Sequence, residues 1–382
     1  MFPSSQSDGR PVDIVDALPL YRYLLDDGIP RDALLVLHQA GAHDATAILG
    51  VLENFPSLAE AGLLNAADIS MSLYASGDPA IERYIEYAKE YRKLPPREFG
   101  ATAPAGAYWQ DGDVVPLDLY GAAAPRSAVD GEVDVGIDRC GDWPVRSQGQ
   151  RGTCVAHAVT AMVEHSLCRS GEGAIDLSEQ FLQWAIKTNG DRWPTLEGTS
   201  CADALAALAD RGICLESEWP YDPVPIAGNP AQGDAINPSL TARFSAGLRR
   251  IKRHHYAVGA RRGNAASILA LLRQGRPVAV SVPVFHDAII GRDNWNMPGG
   301  EKFGAVANPP PSSVVNGGHA VLIVGYVPNS LDPLGGMFIF RNSWSTSWGY
   351  ELPSPGQAAP RPGYGEMPAS YIDAHLWEYA AL

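Results

Sequence analysis

Apolar positions fall into two regimes along the chain. Between residues 12 and 94 they recur at helical spacing in short runs. The clearest run follows Asp78-Pro79, an N-cap with proline at the first helical position. Ile81, Tyr84, Ile85, Ala88 and Tyr91 then share a face, and Pro95-Pro96 stops the pattern. Upstream, glycine turns at Gly28, Gly41 and Gly62 separate shorter apolar stretches. The phrases Asp27-Gly28-Ile29, Ala40-Gly41-Ala42 and Ala61-Gly62-Leu63 hint at a repeat of short helices. From Phe99 to Arg126 the chain is rich in Gly, Ala and Pro, which predicts a linker or an extended segment lying on a surface.

Beyond Val133 the pattern changes. Cys154 opens an apolar helical run through Ala158, Val159, Met162, Val163 and Leu167, after a glycine-containing loop at 147–153. Ser178 is placed to cap a second helix, a third spans Cys201 to Asp210 and ends at Gly212, and a fourth covers Asn264 to Gln274. Strand-like runs follow at Val278–Phe285, Val321–Val327 and Met337–Arg341. Helices first and strands later predict an α+β fold. The expected organisation is an all-helical domain over 1–98, a linker over 99–131, and an α+β domain over 132–382.

Composition narrows the function. The 382-residue chain carries a formal net charge of −14, which argues against nucleic acid or an anionic membrane as partner, since both reward clustered Lys and Arg. No segment has the apolar length of a membrane span. The N-terminus lacks a basic region followed by an apolar core, so no signal peptide is expected and a cytoplasmic location is. Five cysteines, at 140, 154, 168, 201 and 214, do not suggest a disulfide framework or a Cys-x-x-Cys metal site. Four of them are expected to be buried, reduced thiols.

Cys154 stands apart, because a thiol at a helix N-terminus meets unpaired N–H groups and the positive end of the helix dipole, which favour the thiolate. Three further pieces accompany it. His319 follows Asn316-Gly317-Gly318 at the start of an apolar strand. Asn342 ends the next strand and is followed by Trp344 and Trp348. Neighbouring strands bring its side-chain oxygen within reach of the imidazole. Gln148, six residues before Cys154, is placed to complete an oxyanion hole with the Cys154 backbone N–H.

In that order, Gln148-Gly149-x-x-Gly152-Thr153-Cys154, Leu177-Ser178-Glu179-Gln180, Gly317-Gly318-His319-Ala320 and Asn342-Ser343-Trp344 resemble the papain-like (C1-type) cysteine peptidases. Glu197-Gly198-Thr199 and Leu215–Tyr221 look like the bacterial branch of that family. The resemblance covers about residues 132–382 and implies a two-lobed fold. One lobe is helical and carries Cys154, the other is β-rich and carries His319 and Asn342, and a cleft lies between them. It further implies a cysteine endopeptidase in which His319 takes the thiol proton, Asn342 holds the imidazole, Trp344 shields that bond, and Gln148 binds the oxyanion. By the same resemblance Gly198 offers backbone hydrogen bonds to an extended substrate, and Ala320 lines the pocket for the second residue before the cut. No metal or organic cofactor is implied.

Departures from the family pattern leave specificity open. Val155 replaces the usual aromatic, Thr153 the usual Ser or Ala, and Arg151 a cysteine that secreted members use for a disulfide. Extra residues near Asn294–Val315 and Glu351–Pro362 adjoin the catalytic strands and are expected to overhang the cleft. An acyl transferase or ligase using the same thioester, or a non-catalytic binding protein of this fold, are the alternatives. The 1–98 region lacks the spaced Glu, Arg, Phe, Asn and Ile of the family's inhibitory helix. It is expected to be a retained recognition domain with a protein partner of its own, with an inhibitory pro-region as the other reading.

Overall fold

The computed structural model describes residues 99–110, 112–114, 131–135, 144–231, 237–287, 292–295, 304–306, 308–309, 313–329, 332–349 and 361–382, together with Leu24 and Leu34. The chain divides into two units, Met1–Leu94 and Pro95–Leu382. The short helices expected before residue 95 lie outside the described residues, apart from Leu24 and Leu34, which are helical and buried. So do 351–360 and most of the 294–315 stretch.

The first described helix, α1 (Cys154–Leu167), is buried at every position from Cys154 to His165. A helix apolar nearly all round belongs in the middle of a fold, and α1 packs against α2, α3 and the sheet. Helix α2 (Glu179–Thr188) starts where expected. The Ser178 hydroxyl oxygen accepts from the Phe181 N–H at 2.9 Å, and an acidic Glu179 sits in the first turn. Helix α3 (Cys201–Asp210) is capped by Ser200, and Gly212 follows its end at φ +76°. Helices α4 (Leu240–Gly247), α5 (Asn264–Arg273) and α6 (Ala369–His375) lie further along the chain.

The sheet comprises β1 (Val133–Asp134), β2 (His255–Val258), β3 (Val278–Asp287), β4 (Arg292–Asp293), β5 (Val314–Pro328), β6 (Gly336–Arg341), β7 (Tyr364–Pro368) and β8 (Glu378–Ala381). Its order is β2-β8-β3-β5-β6-β7, with β1 beside β5 and β4 beside β3. Every named pair is antiparallel. Strand β5 is central, and nine consecutive residues from Gly318 to Tyr326 are buried or nearly so. That two-sided burial explains its unbroken apolar run.

Two stretches depart from the sequence expectation. Residues 99–110, expected as a linker or an extended segment lying on a surface, are packed into the second unit: Ala101, Ala107 and Trp109 belong to its core, and the Trp109 indole N–H donates to Ala374 O at 2.7 Å. Cys168, expected as a reduced thiol, is disulfide-bonded, whereas Cys154, Cys201 and Cys214 are free and buried. The spacing of cysteines does not reveal pairs that only the folded chain brings together. Among the described residues no helix is long and apolar enough to cross a membrane, and no cluster of three or more His, Cys, Asp and Glu could hold a metal.

Arg151 ties the loops around α1. Its side chain is fully buried and donates to Glu197 (3.2 Å), to Gln180 Oε1 (2.7 Å), to Asp222 O (3.0 Å) and to Pro230 O (3.1 Å), beside the face of Tyr221. Four segments distant in sequence thus meet on one guanidinium, whose planar fork of donors suits this geometry. Replacing Arg151 with Ala should cost about 3 kcal/mol in a denaturant titration, because Gln180 and two carbonyls lose their donors in the interior. Arg151→Lys should recover only part of it. A loss below about 1 kcal/mol would show that the network is dispensable.

Candidate active site

Two loop-to-element junctions and one strand pair build the site. Gly149 turns the chain into α1 at φ +62°, and a Cβ there would strike Pro223 at 2.5 Å, so glycine is required. Cys154 then emerges as the first residue of α1. Strand β5 brings His319 opposite Val282 of β3, and pairs Leu322 with Arg341 of β6. Asn342 follows directly after that last rung. Of the two glycines before His319, Gly317 has φ +129°, and at Gly318 a Cβ would lie 2.0 Å from the Trp377 ring.

Strand register therefore delivers the side-chain contact. His319 Nε2 and Asn342 Oδ1 are 2.8 Å apart, and the same oxygen accepts from the Ser343 N–H at 2.8 Å. Both residues are buried. Trp344 stacks on the imidazole at 4.5 Å with 27° between planes, and Trp348 meets Trp344 edge-on at 5.6 Å. Trp344 therefore covers one face of the imidazole that bonds Asn342. His319 Nδ1 has no hydrogen-bond partner among the described residues. The Cys154 sulfur lies within reach of the backbone of Ala320, the residue after His319.

Gln148 is buried and held at both ends of its carboxamide. Ser343 Oγ donates to its Oε1 at 2.6 Å, and its Nε2 donates to Arg151 O at 2.7 Å. Its backbone N–H donates to Ser343 O, and Ser147 bridges to Trp344. The Gln148 loop and the Asn342 loop are thus one unit. Ser343 escaped notice in the sequence because it sits inside the Asn-Ser-Trp motif without a charge or ring to mark it.

Trp295 also went unnoticed. It lies in the stretch after β3, is fully buried, and meets His319 edge-on at 4.9 Å and Trp344 at 6.1 Å. The Tyr371 hydroxyl accepts from its indole N–H at 3.3 Å and itself donates to Pro283 O at 2.5 Å. The imidazole is therefore confined by two tryptophans from different loops. A lone Trp in an irregular segment carries no periodicity that could have flagged it.

The expected substrate groove is filled by the chain's own residues 99–102. The Thr199 N–H donates to Gly100 O and the Thr102 N–H to Thr199 O, each at 2.9 Å, so Ala101 pairs with Thr199 in parallel sense. On the opposite wall the Ala101 N–H donates to Gly318 O at 2.9 Å. The Phe99 ring rests edge-on against both His319 and Trp344 at 5.8 Å. Gly198, expected to face a substrate, has Gly100 O against it: a Cβ there would be 2.9 Å from that oxygen. Ala320 is buried.

This cover changes the electrostatics. Burial pushes the Cys154 thiol up to about 11, partly offset by backbone amides including those of Ala320 and Gly100. Burial also pushes His319 down to about 4, against the Asn342 hydrogen bond, which favours the cation. The sequence predicts a thiolate, whereas burial in this form works the other way, favouring the neutral thiol and the neutral imidazole. The helix N-terminus is present, yet it does not outweigh the loss of water.

Comparison with known proteins bears on this geometry. The family model described as papain family cysteine protease matches residues 131–351. Rat cathepsin J is 25% identical over 244 residues, which is 60% of this chain and 64% of the relative. Cysteine proteinase 3 of Entamoeba histolytica is 28% identical over 218 residues, 54% of this chain and 59% of the relative. The chain thus spans less than two thirds of the length of these curated relatives. In fold it is similar to xylellain, a cysteine protease from Xylella fastidiosa, with a TM-score of 0.52 at 21% identity over 75% of this chain and 97% of that one.

The neutral, covered thiol makes a direct prediction. At neutral pH iodoacetamide should leave Cys154 nearly unmodified in the intact chain, as read by peptide mass spectrometry. Phe99→Ala, which uncovers the imidazole, should raise the labelling rate by about tenfold or more. Equal rates in the two proteins would mean that residues 99–102 do not govern the thiol.

Proposed function

The chain belongs to the papain family of cysteine proteases, and on that premise we propose that it is a cysteine endopeptidase held latent by its own residues 99–102. The observation that carries the reading is the His319–Asn342 hydrogen bond under Trp344, which leaves the other imidazole nitrogen without a hydrogen-bond partner among the described residues.

In the uncovered enzyme His319 Nδ1 takes the proton from Cys154 Sγ, and Asn342 keeps the ring oriented through Nε2. The thiolate attacks the peptide carbonyl, forming a C–S bond and moving an electron pair onto oxygen. The Gln148 amide and the Cys154 backbone N–H receive that oxyanion. The tetrahedral adduct collapses, the C–N bond breaks, and His319 protonates the departing amine. A water molecule, deprotonated by His319, then attacks the thioester, and release of the carboxylic acid returns the thiol. The substrate is a protein or peptide in extended form, and Gly198 and Ala320 border its path. No step calls for a metal or organic cofactor.

Residues 1–98 precede the occluding strand in the chain, and we assign them to a pro-region rather than to a retained recognition domain. Occupation of both groove walls by 100–102 supports this. The disulfide at Cys168 supports an oxidising compartment over the cytoplasm.

Two measurements test these assignments. Gln148→Ala should lower kcat by about 10²–10³-fold with little change in KM, because its amide meets charge that exists only in the transition state. A near-normal kcat would reduce Gln148 to a loop-packing role. Incubated wild-type protein should lose mass by cleavage between Pro95 and Glu132 and gain activity on short peptides, while Cys154→Ser stays intact. A full-length wild type as active as the trimmed form would overturn the latent reading.

A further inference from the structure

The chain's acidic net charge conceals a basic surface. Residues 235–286 contain none of the 43 Asp and Glu but nine of the 29 Lys and Arg. Within this window α4 is capped by Ser239 and turns Ala242, Ser245 and Ala246 inward. Its outer face carries Leu240, Phe244 and Leu248, which are 84%, 74% and 72% exposed. The spacing of i, i+4 and i+8 puts all three on one side of the helix. Arg243 on the same helix, and Arg250, Lys252 and Arg253 just after it, are exposed as well. The run then enters β2, the edge strand of the sheet. On neighbouring α3 the Asp210 carboxylate is already engaged by Arg211 at 3.6 Å.

We propose that α4 and the basic run through Arg253 form a docking surface for an anionic phospholipid bilayer. Charge complementarity supplies the first argument. Four exposed cations lie on or directly after the helix that carries the three large apolar side chains, and screening over ~8–10 Å weakens the influence of the distant acidic surface. Shape supplies the second. Side chains exposed by more than 70% stand proud of the surface as a ridge. A peptide is bound in a groove, whereas a ridge enters the headgroup region of a bilayer, with the cations left at phosphate level. Neither signal anchors alone, and together they give reversible attachment. The whole-chain charge argued against a membrane partner, but it averages over a surface that is locally of opposite sign.

Flotation of the full-length protein with vesicles tests this. The protein should rise with vesicles of equal parts phosphatidylglycerol and phosphatidylcholine, remain in solution with phosphatidylcholine alone, and be released by high salt. The variant L240S/F244S/L248S should bind about tenfold more weakly, and R250E/K252E/R253E should lose about 100-fold or more. All these side chains are solvent-facing, and an unchanged melting temperature would show that the fold is intact. Failure of the wild type to float, or wild-type binding by both variants, would overturn the proposal. Capture on immobilised poly-glutamate without vesicle binding would overturn it in favour of an acidic polypeptide partner.

Discussion

The register between β5 and β6 is the constraint on which the site depends. Pairing Leu322 with Arg341 leaves His319 and Asn342 on adjacent strands, one before and one after the shared rungs. A slip of one residue would turn the imidazole or its neighbours to the opposite face. The register is protected because β5 is buried on both sides, so any slip would also misplace its apolar neighbours. The 2.8 Å hydrogen bond between His319 and Asn342 is thus secured by the packing of Val321, Leu322 and Ile323 rather than by local loop chemistry.

The helical side is held by different means. Arg151 and Arg146 act as polar hubs at the two sides of the Gln148 loop. Arg146 donates to Glu179 at 2.6 Å and to Glu164 at 3.2 Å, and Glu164 in turn accepts from the Leu177 N–H at 2.9 Å. Such buried charges are costly unless fully paired, and their worth lies in fixing which loops meet. Together with the Ser343–Gln148 hydrogen bond they join the thiol-bearing loop to the loop that follows Asn342. The loop that carries Gln148 and the loop that follows Asn342 are thereby held together.

Much of this was legible from sequence. The apolar runs of β3, β5 and β6 announced their strands, Ser178 announced its helix, and the order of Gln148, Cys154, His319 and Asn342 pointed to the family. What escaped has physical reasons. Residues 100–103 are small because a chain squeezed between Thr199 and Gly318 has little room, and small residues in a row look like a linker. Trp295 reaches His319 from an irregular loop, where no periodicity reports direction. Cys168 pairs only through the fold. The thiol's state depends on how much water reaches it, and that is set by a segment some fifty residues upstream.

The covalent attachment of that segment has a consequence for the latency proposed above. A free peptide making the same three backbone hydrogen bonds would compete with substrate according to its concentration, and dilution would release it. Residues 100–102 belong to the chain, so their local concentration at the groove is fixed by the tether, in the millimolar range for short connections. Dilution leaves that value untouched, and so does protein abundance. On that proposal a substrate has to outcompete a constant, intramolecular rival, which makes the threshold for activity a property of the molecule rather than of its surroundings. Severing one peptide bond beside the occluding strand converts that constant into an ordinary, dilutable equilibrium.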